Sequence, residues 1–186
     1  DAKLKIITVD VLESEEITSN PANRCYYCKK RIFSAIASEA AASGFNVIAD
    51  GTNASDKVSD RPGMKALAEL SVRSPLRECG LTKDEIRWLS KEAGLFTWDK
   101  PAYACLATRI ETGETITRDK LRRTEISENY LASLGFTNFR IRTVRDTAKI
   151  QISDAQIEKL ISLKTQINSE LKKYYSSVLL DLEERV

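Results

Sequence analysis

Apolar and polar positions alternate from Lys3 to Val9, with Leu4, Ile6 and Thr8 set against Lys5, Ile7 and Val9, and this predicts a strand. Loop residues, among them Glu13, Ser19, Asn20 and Pro21, fill positions 10–23. From Tyr27 to Ser43 an Ala-rich stretch places Ile32, Phe33, Ile36 and Ala40 at helical spacing, which predicts an amphipathic helix with Gly44 as its C-cap. Phe45 to Ala49 is a short apolar run, predicted as a buried strand. Strand, helix and strand in this order predict a right-handed crossover and a parallel sheet.

The pattern repeats downstream. A short helix over Pro62–Glu69 leads into a predicted strand at Leu70–Arg73, which Ser74-Pro75-Leu76 breaks. Thr82-Lys83-Asp84-Glu85 is a capping box, opening a helix that ends at Gly94. Residues 97–116 form a long loop, and we divide the chain inside it, near Gly113. The second half reads as a helix over Thr117–Leu134 and a hairpin of Phe139–Val144 with Ala148–Ile152. A helix over Asp154–Tyr174 and a last strand at Val178–Leu182 follow. The expected class is α/β: a Rossmann-like parallel-sheet domain over 1–113, then a small α+β domain over 114–186.

Composition narrows the chemistry. The 186 residues carry 29 basic and 27 acidic side chains, a net charge of +2, with 42% hydrophobic residues. These sums fit a globular chain with a real core and exclude a collagen, a disordered segment or a disulfide scaffold. No apolar run approaches the roughly 18 residues of a membrane span, and a cytoplasmic protein is expected. Near-neutral charge gives no electrostatic footprint for nucleic acid. The chain holds no histidine, so every mechanism that needs an imidazole is excluded. It opens at Asp1, already on the way into the first predicted strand, and we expect residues upstream of it.

Four cysteines remain. Cys25-Tyr26-Tyr27-Cys28 sits where a loop enters a helix, whose positive end favours thiolates. Two thiolates at that spacing can share one metal centre. A zinc ribbon would need a second close pair or histidines, and the flanking residues differ from those of thioredoxin-type redox pairs; a pair of half-buried structural cysteines is the plainer reading. Cys105 lies in the long loop, in Pro101-Ala-Tyr-Ala-Cys-Leu-Ala-Thr-Arg109. Together with Cys25 and Cys28 it would give three thiolates without a fourth ligand, which suits an iron–sulfur cluster with one open iron. Cys79 is read as a small buried hydrophobe.

Two further constellations bear on anions. Asp50-Gly51-Thr52-Asn53 follows an apolar run at what would be the carboxyl end of a strand, where open α/β sheets bind nucleotides; a plain turn explains it equally well. Arg140 and Arg142, two apart on a strand, share one face and suit a phosphate or carboxylate, although a solvated sheet face is the simpler account of the pair alone.

Taken together, Asn23-Arg-Cys-Tyr-Tyr-Cys-Lys29, Ala49-Asp-Gly-Thr-Asn53, Arg61-Pro-Gly-Met64, Arg73-Ser-Pro-Leu76, Leu81-Thr-Lys-Asp-Glu-Ile-Arg87 and the Lys100–Arg109 segment resemble the LarE-type ATP-dependent sulfur transferases of the PP-loop ATP pyrophosphatase superfamily. The resemblance spans most of residues 20–152. It implies an enzyme that uses ATP and Mg²⁺ to adenylate a carboxylate of a pyridinium mononucleotide, then inserts sulfur to give a thiocarboxylate. The product is a precursor of a nickel-pincer nucleotide.

Some members sacrifice a cysteine sulfur, whereas others hold a 4Fe–4S cluster on three cysteines. Cys25, Cys28 and Cys105 match the second type. The resemblance also places Gly51, Thr52 and Asn53 near the nucleotide, Asp56 as a polar or Mg²⁺-linked catalytic group, and Cys105 at the chemistry. Thr108, Arg109, Arg140 and Arg142 are implied on the substrate phosphate, with Glu125 and Glu128 as weaker candidates. A carboxylate nucleotide, a sulfide donor and further copies of the chain are the implied partners.

Two departures stand out. The family's Ser-Gly-Gly-x-Asp-Ser pyrophosphate loop, expected ahead of the first strand, is not in these residues, and Thr143-Val144 stands where many relatives have His-His. A PP-loop pyrophosphatase acting on a tRNA base or amide with a structural zinc, and a non-catalytic cluster carrier, are the rival readings.

Overall fold

The computed structural model describes residues 3–56, 62–100 and 103–183. They form two compact units, one of Asp1–Ile17 with Pro21–Pro101 and one of Thr18–Asn20 with Ala102–Val186. The chain is α/β, with helices throughout and, among the described residues, one small mixed sheet.

The first unit is mostly helical. A one-turn helix α1 (Glu15–Thr18) precedes α2 (Arg24–Ala42), and α3 (Pro62–Glu69), α4 (Pro75–Glu78) and α5 (Lys83–Glu92) follow. The expected strand at Lys3–Val9 is not formed, and Leu4 and Ile6 are exposed. The expected buried strand at Phe45–Ala49 is also corrected, because Phe45 and Val47 face solvent. A single parallel bridge, Ala49 to Arg73, stands where the parallel sheet was expected. It rests on Asp50 N–H donating to Arg73 O at 2.9 Å and Arg73 N–H donating to Ile48 O at 2.9 Å. Leu70 and Ser71 form a turn, with Ser71 at φ 54°, and Arg73 makes only the isolated bridge, so no strand spans 70–73.

Packing between α2 and α3 is close because Gly63 has no side chain. A Cβ there would meet Lys29 Cδ at 2.8 Å and Cys25 O at 3.4 Å. The capping box forms as read: Thr82 accepts from Glu85 N–H, and the Glu85 carboxylate accepts from Thr82 N–H at 2.8 Å.

The second unit follows the expected αββαβ order. Helix α6 (Arg118–Ser133) begins at N-cap Thr117, and β1 (Arg140–Val144) pairs antiparallel with β2 (Thr147–Gln151). The hairpin turn is two residues, with Arg145 at φ 53°. Arg123 reinforces it by donating to Asp146 Oδ1 at 2.6 Å and Arg145 O at 2.9 Å. The expected single helix over 154–174 is broken at Leu163 into α7 (Ile157–Ser162) and α8 (Lys164–Leu171), and β3 (Ser177–Leu180) then pairs parallel with β2.

Ile141, Ala148 and Ile150 on one sheet face pack with Leu131 of α6, Leu160 of α7, and Ile167 and Leu171 of α8. Burying side chains of this kind stabilises by roughly 1.5–3 kcal/mol each. Residues 18–20 join this unit because Thr18 O accepts from Ile116 N–H, and the Asn20 amide donates to Glu111 O at 2.7 Å. Among the described residues no helix is long and apolar enough to cross a membrane.

Candidate functional site

Sheet alternation places the second unit's chemistry. Ile141 and Thr143 point into the core, so Arg140 and Arg142 emerge on the opposite face. Ahead of the sheet, a 3-10 turn over Leu106–Arg109 has Cys105 as its N-cap. Cys105 is exposed, while its carbonyl accepts from Thr108 N–H at 2.9 Å and Thr108 Oγ1 at 2.7 Å. Thr108, Arg109, Arg140 and Arg142 together line one pocket of about 170 Å³, with Ala104 at its edge. All four were expected from sequence as anion-binding residues, and the fold brings them together.

Their commitments differ. Arg109 is buried and donates from Nε and Nη2 to the two oxygens of Glu128, at 2.9 and 3.1 Å. Its Nη1 donates to Ala104 O at 3.0 Å, Cys105 O at 3.3 Å and Thr108 Oγ1 at 3.0 Å. Arg109 thus holds the loop that carries Cys105, and reaches the pocket as part of its wall. Arg142 is exposed, donates from Nε to Gln151 Oε1 at 2.6 Å, and from Nη1 to Thr108 O at 3.2 Å. Arg140 donates to Phe139 O at 2.7 Å.

Glu128 is more central than sequence reasoning placed it. Besides Arg109, it accepts from Ile141 N–H at 3.0 Å and from the Tyr103 hydroxyl at 3.0 Å. Tyr103 was missed altogether. Its ring lies under both Arg109 and Arg140, at 5.1 and 5.6 Å from centroid to guanidinium carbon. Partial burial and the adjacent Glu128 carboxylate push its hydroxyl pKa up. The signal for Tyr103 was its position two residues before Cys105. Glu125 is exposed and takes no part in this network.

Thr143 sits on the buried face, with its hydroxyl 3.0 Å from Thr124 Oγ1 and 3.3 Å from the Tyr175 hydroxyl. Its departure from His therefore concerns the core rather than the pocket.

In the first unit, Asn23 is the N-cap of α2 without a side-chain capping bond to the helix backbone, and its amide donates instead to the Tyr27 hydroxyl at 3.5 Å; Cys25 and Cys28 stand three apart on the first turns. Residues at i and i+3 share a helix face, so the two cysteines lie on one side of α2. Cys25 is exposed and Cys28 half-buried, and no disulfide joins any of the four cysteines. Cys79 corrects the expectation of a buried hydrophobe: it is exposed as the C-cap of α4.

The Asp50–Asp56 loop is held by its own polar groups. Asp50 accepts from Thr52 Oγ1 at 2.5 Å and Ser74 Oγ at 2.7 Å, with Lys29 Nζ at 3.8 Å. Burial alone would push the Asp50 carboxyl up, but the Thr52 and Ser74 hydroxyls, the Thr52 N–H and Lys29 hold it below its ordinary value. Asn53 N–H donates to Asp56 Oδ2 at 3.1 Å, and Asn53 Oδ1 accepts from Ser55 N–H at 3.0 Å. Gly51 has open space where a Cβ would stand, with nothing within 4 Å. Thr52, Asn53 and Asp56 thus shape the loop, and Gly51 leaves its outer side clear. Arg61, Pro101 and Ala102 of the resembling motifs lie outside the described residues.

Among the described residues no three His, Cys, Asp or Glu side chains are gathered as a metal site. The donor types nevertheless fit an iron–sulfur group: Cys25, Cys28 and Cys105 carry undisulfided thiols, and Cys25 and Cys105 are exposed.

The fold and site define an α/β protein in which a loop cysteine closely precedes, in sequence, the residues of an arginine-lined pocket. No family model matches the chain. Three relatives do. A Synechocystis protein of uncharacterized function is 36% identical over 96% of this chain and 68% of its own length. A Methanocaldococcus jannaschii protein, also uncharacterized, is 31% identical over 98% of this chain and 72% of its own. The pyridinium-3,5-bisthiocarboxylic acid mononucleotide synthase of Lactiplantibacillus plantarum is 34% identical over 97% of this chain and 66% of that enzyme. The chain belongs to this LarE-type family, and spans about two thirds of the length of these relatives.

Proposed function

We propose that the chain is part of an ATP-dependent sulfur transferase that converts a carboxylate of a pyridinium mononucleotide into a thiocarboxylate. The observation that carries this reading is the arginine-lined pocket directly after Cys105, in a chain 34% identical to a bisthiocarboxylic acid mononucleotide synthase. Paired guanidiniums of the kind Arg140 and Arg142 present suit the phosphate of such a nucleotide. Thr108 contributes its hydroxyl at the pocket wall.

The reaction balances in two steps. A carboxylate oxygen attacks the α-phosphorus of ATP and pyrophosphate leaves, giving an acyl adenylate. Sulfide then attacks the acyl carbon and AMP departs, leaving a thiocarboxylate. Adenylation is needed because a bare carboxylate oxygen is a poor leaving group. Gly51, Thr52 and Asn53 are the residues we assign beside the nucleotide, with Asp56 towards its Mg²⁺.

Cys25, Cys28 and Cys105 would hold a 4Fe–4S cluster. With three protein thiolates as ligands, such a cluster would keep one iron without a protein ligand and would supply there a position for sulfide. Arg109 and Glu128 fix the backbone at Cys105, and exposure of that residue leaves its thiol accessible.

Anaerobic reconstitution followed by joint iron, zinc and sulfide analysis tests the reading. About four irons per chain and absorbance near 400 nm, both lost in Cys105→Ala, are expected. Full iron retention in that variant would remove Cys105 from the ligand set. One zinc per chain would instead favour a structural metal and a tRNA-directed pyrophosphatase. Conversion of a cysteine to dehydroalanine, read by mass spectrometry, would mark sacrificial transfer.

A further inference from the structure

The sheet face that carries the arginine pair contains an arrangement that strand pairing would ordinarily disfavour. In the β1–β2 register Arg142 lies directly opposite Lys149, and Arg140 opposite Gln151. Like charges directly across an antiparallel pair destabilise it. The face is relieved by a polar relay that leads away from the pocket. Arg142 Nε donates to Gln151 Oε1 at 2.6 Å, and Gln151 Nε2 donates to Asp181 Oδ2 at 2.7 Å. Lys149 Nζ closes it at 2.8 Å from the same Asp181 oxygen. Asp181 is itself fixed just after β3, where its N–H donates to Ile150 O at 2.8 Å.

The orientation of the Gln151 amide is dictated by its neighbours. Guanidinium has donors only and an ionised carboxylate acceptors only, so the amide oxygen must face Arg142 and the amide nitrogen Asp181. The amide thereby separates two opposite charges. Asp181 neutralises Lys149, while Arg142 is held by a neutral acceptor and keeps its full charge towards the pocket that it lines with Thr108 and Arg140.

We propose that Gln151, anchored by Asp181, is a positioning residue that aims the Arg142 guanidinium at a phosphate-class anion and keeps a carboxylate from pairing with it. This inference rests on the anion pocket assigned under the proposed function. Nothing in the core requires Gln151, which is half-buried at the end of β2 on the polar face. Its neighbours in sequence, Ile150 and Ile152, supply the core contacts.

The test is titration of the 186-residue chain with inorganic phosphate, followed through the arginine Nε–Hε signals in ¹H–¹⁵N spectra. Wild type should show a saturable shift of the Arg142 signal, which Arg142→Gln removes together with most of the affinity. Gln151→Met keeps length and loses the hydrogen bonds. It should weaken phosphate binding by roughly tenfold and move the Arg142 Hε signal upfield before any phosphate is added. Gln151→Glu is nearly isosteric and guards against misfolding of the Met variant. It places a charge beside both Arg142 and Asp181, and should weaken binding at least as much.

Wild-type affinity and an unmoved Arg142 signal in both Gln151 variants, with affinity lost in Arg142→Gln, would overturn the positioning role alone. Phosphate that fails to bind wild type, or that binds Arg142→Gln as tightly as wild type, would overturn the anion pocket itself and the inference with it. A purely structural role for Gln151 would lower the unfolding midpoint without moving the Arg142 signal.

Discussion

At the residue scale the site holds a buried ion pair, Arg109 with Glu128, whose side chains are 1% and 4% exposed. Two parallel N–H···O contacts to one carboxylate make a bidentate pair, and the remaining donors reach the carbonyls of Ala104 and Cys105. Both residues were named from sequence, Arg109 on the substrate phosphate and Glu128 as a weaker candidate, but their pairing was not, because an arginine in a polar loop carries no mark of whether a carboxylate will be buried against it. The ion pair is visible only once α6 brings Glu128 across. Removing one partner leaves an uncompensated buried charge, so Arg109→Met should destabilise the second unit by about 3–5 kcal/mol. Urea unfolding of that variant checks the figure. A loss below about 1 kcal/mol, the range of exposed pairs, would show that the pair is hydrated.

At the element scale the two halves of the chain were legible to different degrees. Helices signalled by local chemistry appear where expected: the Thr82–Glu85 capping box, the Pro62–Glu69 helix and the helix predicted over Thr117–Leu134 all rest on contacts within a few residues. The β1–β2 hairpin was legible because its strands pair with one another across a two-residue turn. The predicted strands at Lys3–Val9, Phe45–Ala49 and Leu70–Arg73 depend on pairing with distant segments, and within the described residues only Ala49 and Arg73 make a bridge. An apolar run states a preference for burial, and does not supply the ladder that makes a strand.

The contact of α2 with α3 was equally illegible, since nothing in the sequence says which glycine faces a neighbouring helix. Gly63 does, against Lys29 and the carbonyl of Cys25. Gly63→Ala asks only the flexible Lys29 stem to move, and Ala gains about 1 kcal/mol in helix propensity, so little net change is expected. Gly63→Leu must displace the first turns of α2, where Cys25 and Cys28 stand, and should cost about 1–3 kcal/mol as an overpacked contact. Paired urea midpoints for the two variants decide this, and equal midpoints would mean that α2 and α3 are not tightly seated.

At the scale of the whole molecule, buried apolar residues are unevenly shared between the units. Leu131, Ile141, Ile150 and Leu171 of the second unit are almost wholly buried, and they sit on different elements of one core. Among the described residues of the first unit, Ile17, Ala66 and Leu67 are the buried apolar side chains, while Leu4, Phe45 and Val47 face solvent. Local opening costs most where apolar contacts are dense and least where they are sparse. Hydrogen exchange should therefore find its slowest amides in β1, β2 and the core-facing turns of α6 and α8. Amides of residues 44–53 and of α5 should exchange well before them.

The placement has a functional sense, because Arg140 and Arg142 extend from the strand whose other face is most buried, and Gln151 from its partner. A pocket with the proposed role of holding an anion in fixed geometry gains from standing on the part of the chain that opens least often. Equal protection in both units would require the solvent-facing side chains Leu4, Phe45 and Val47 to be covered in solution. Measuring exchange across a range of protein concentrations would then show whether copies of the chain supply that cover.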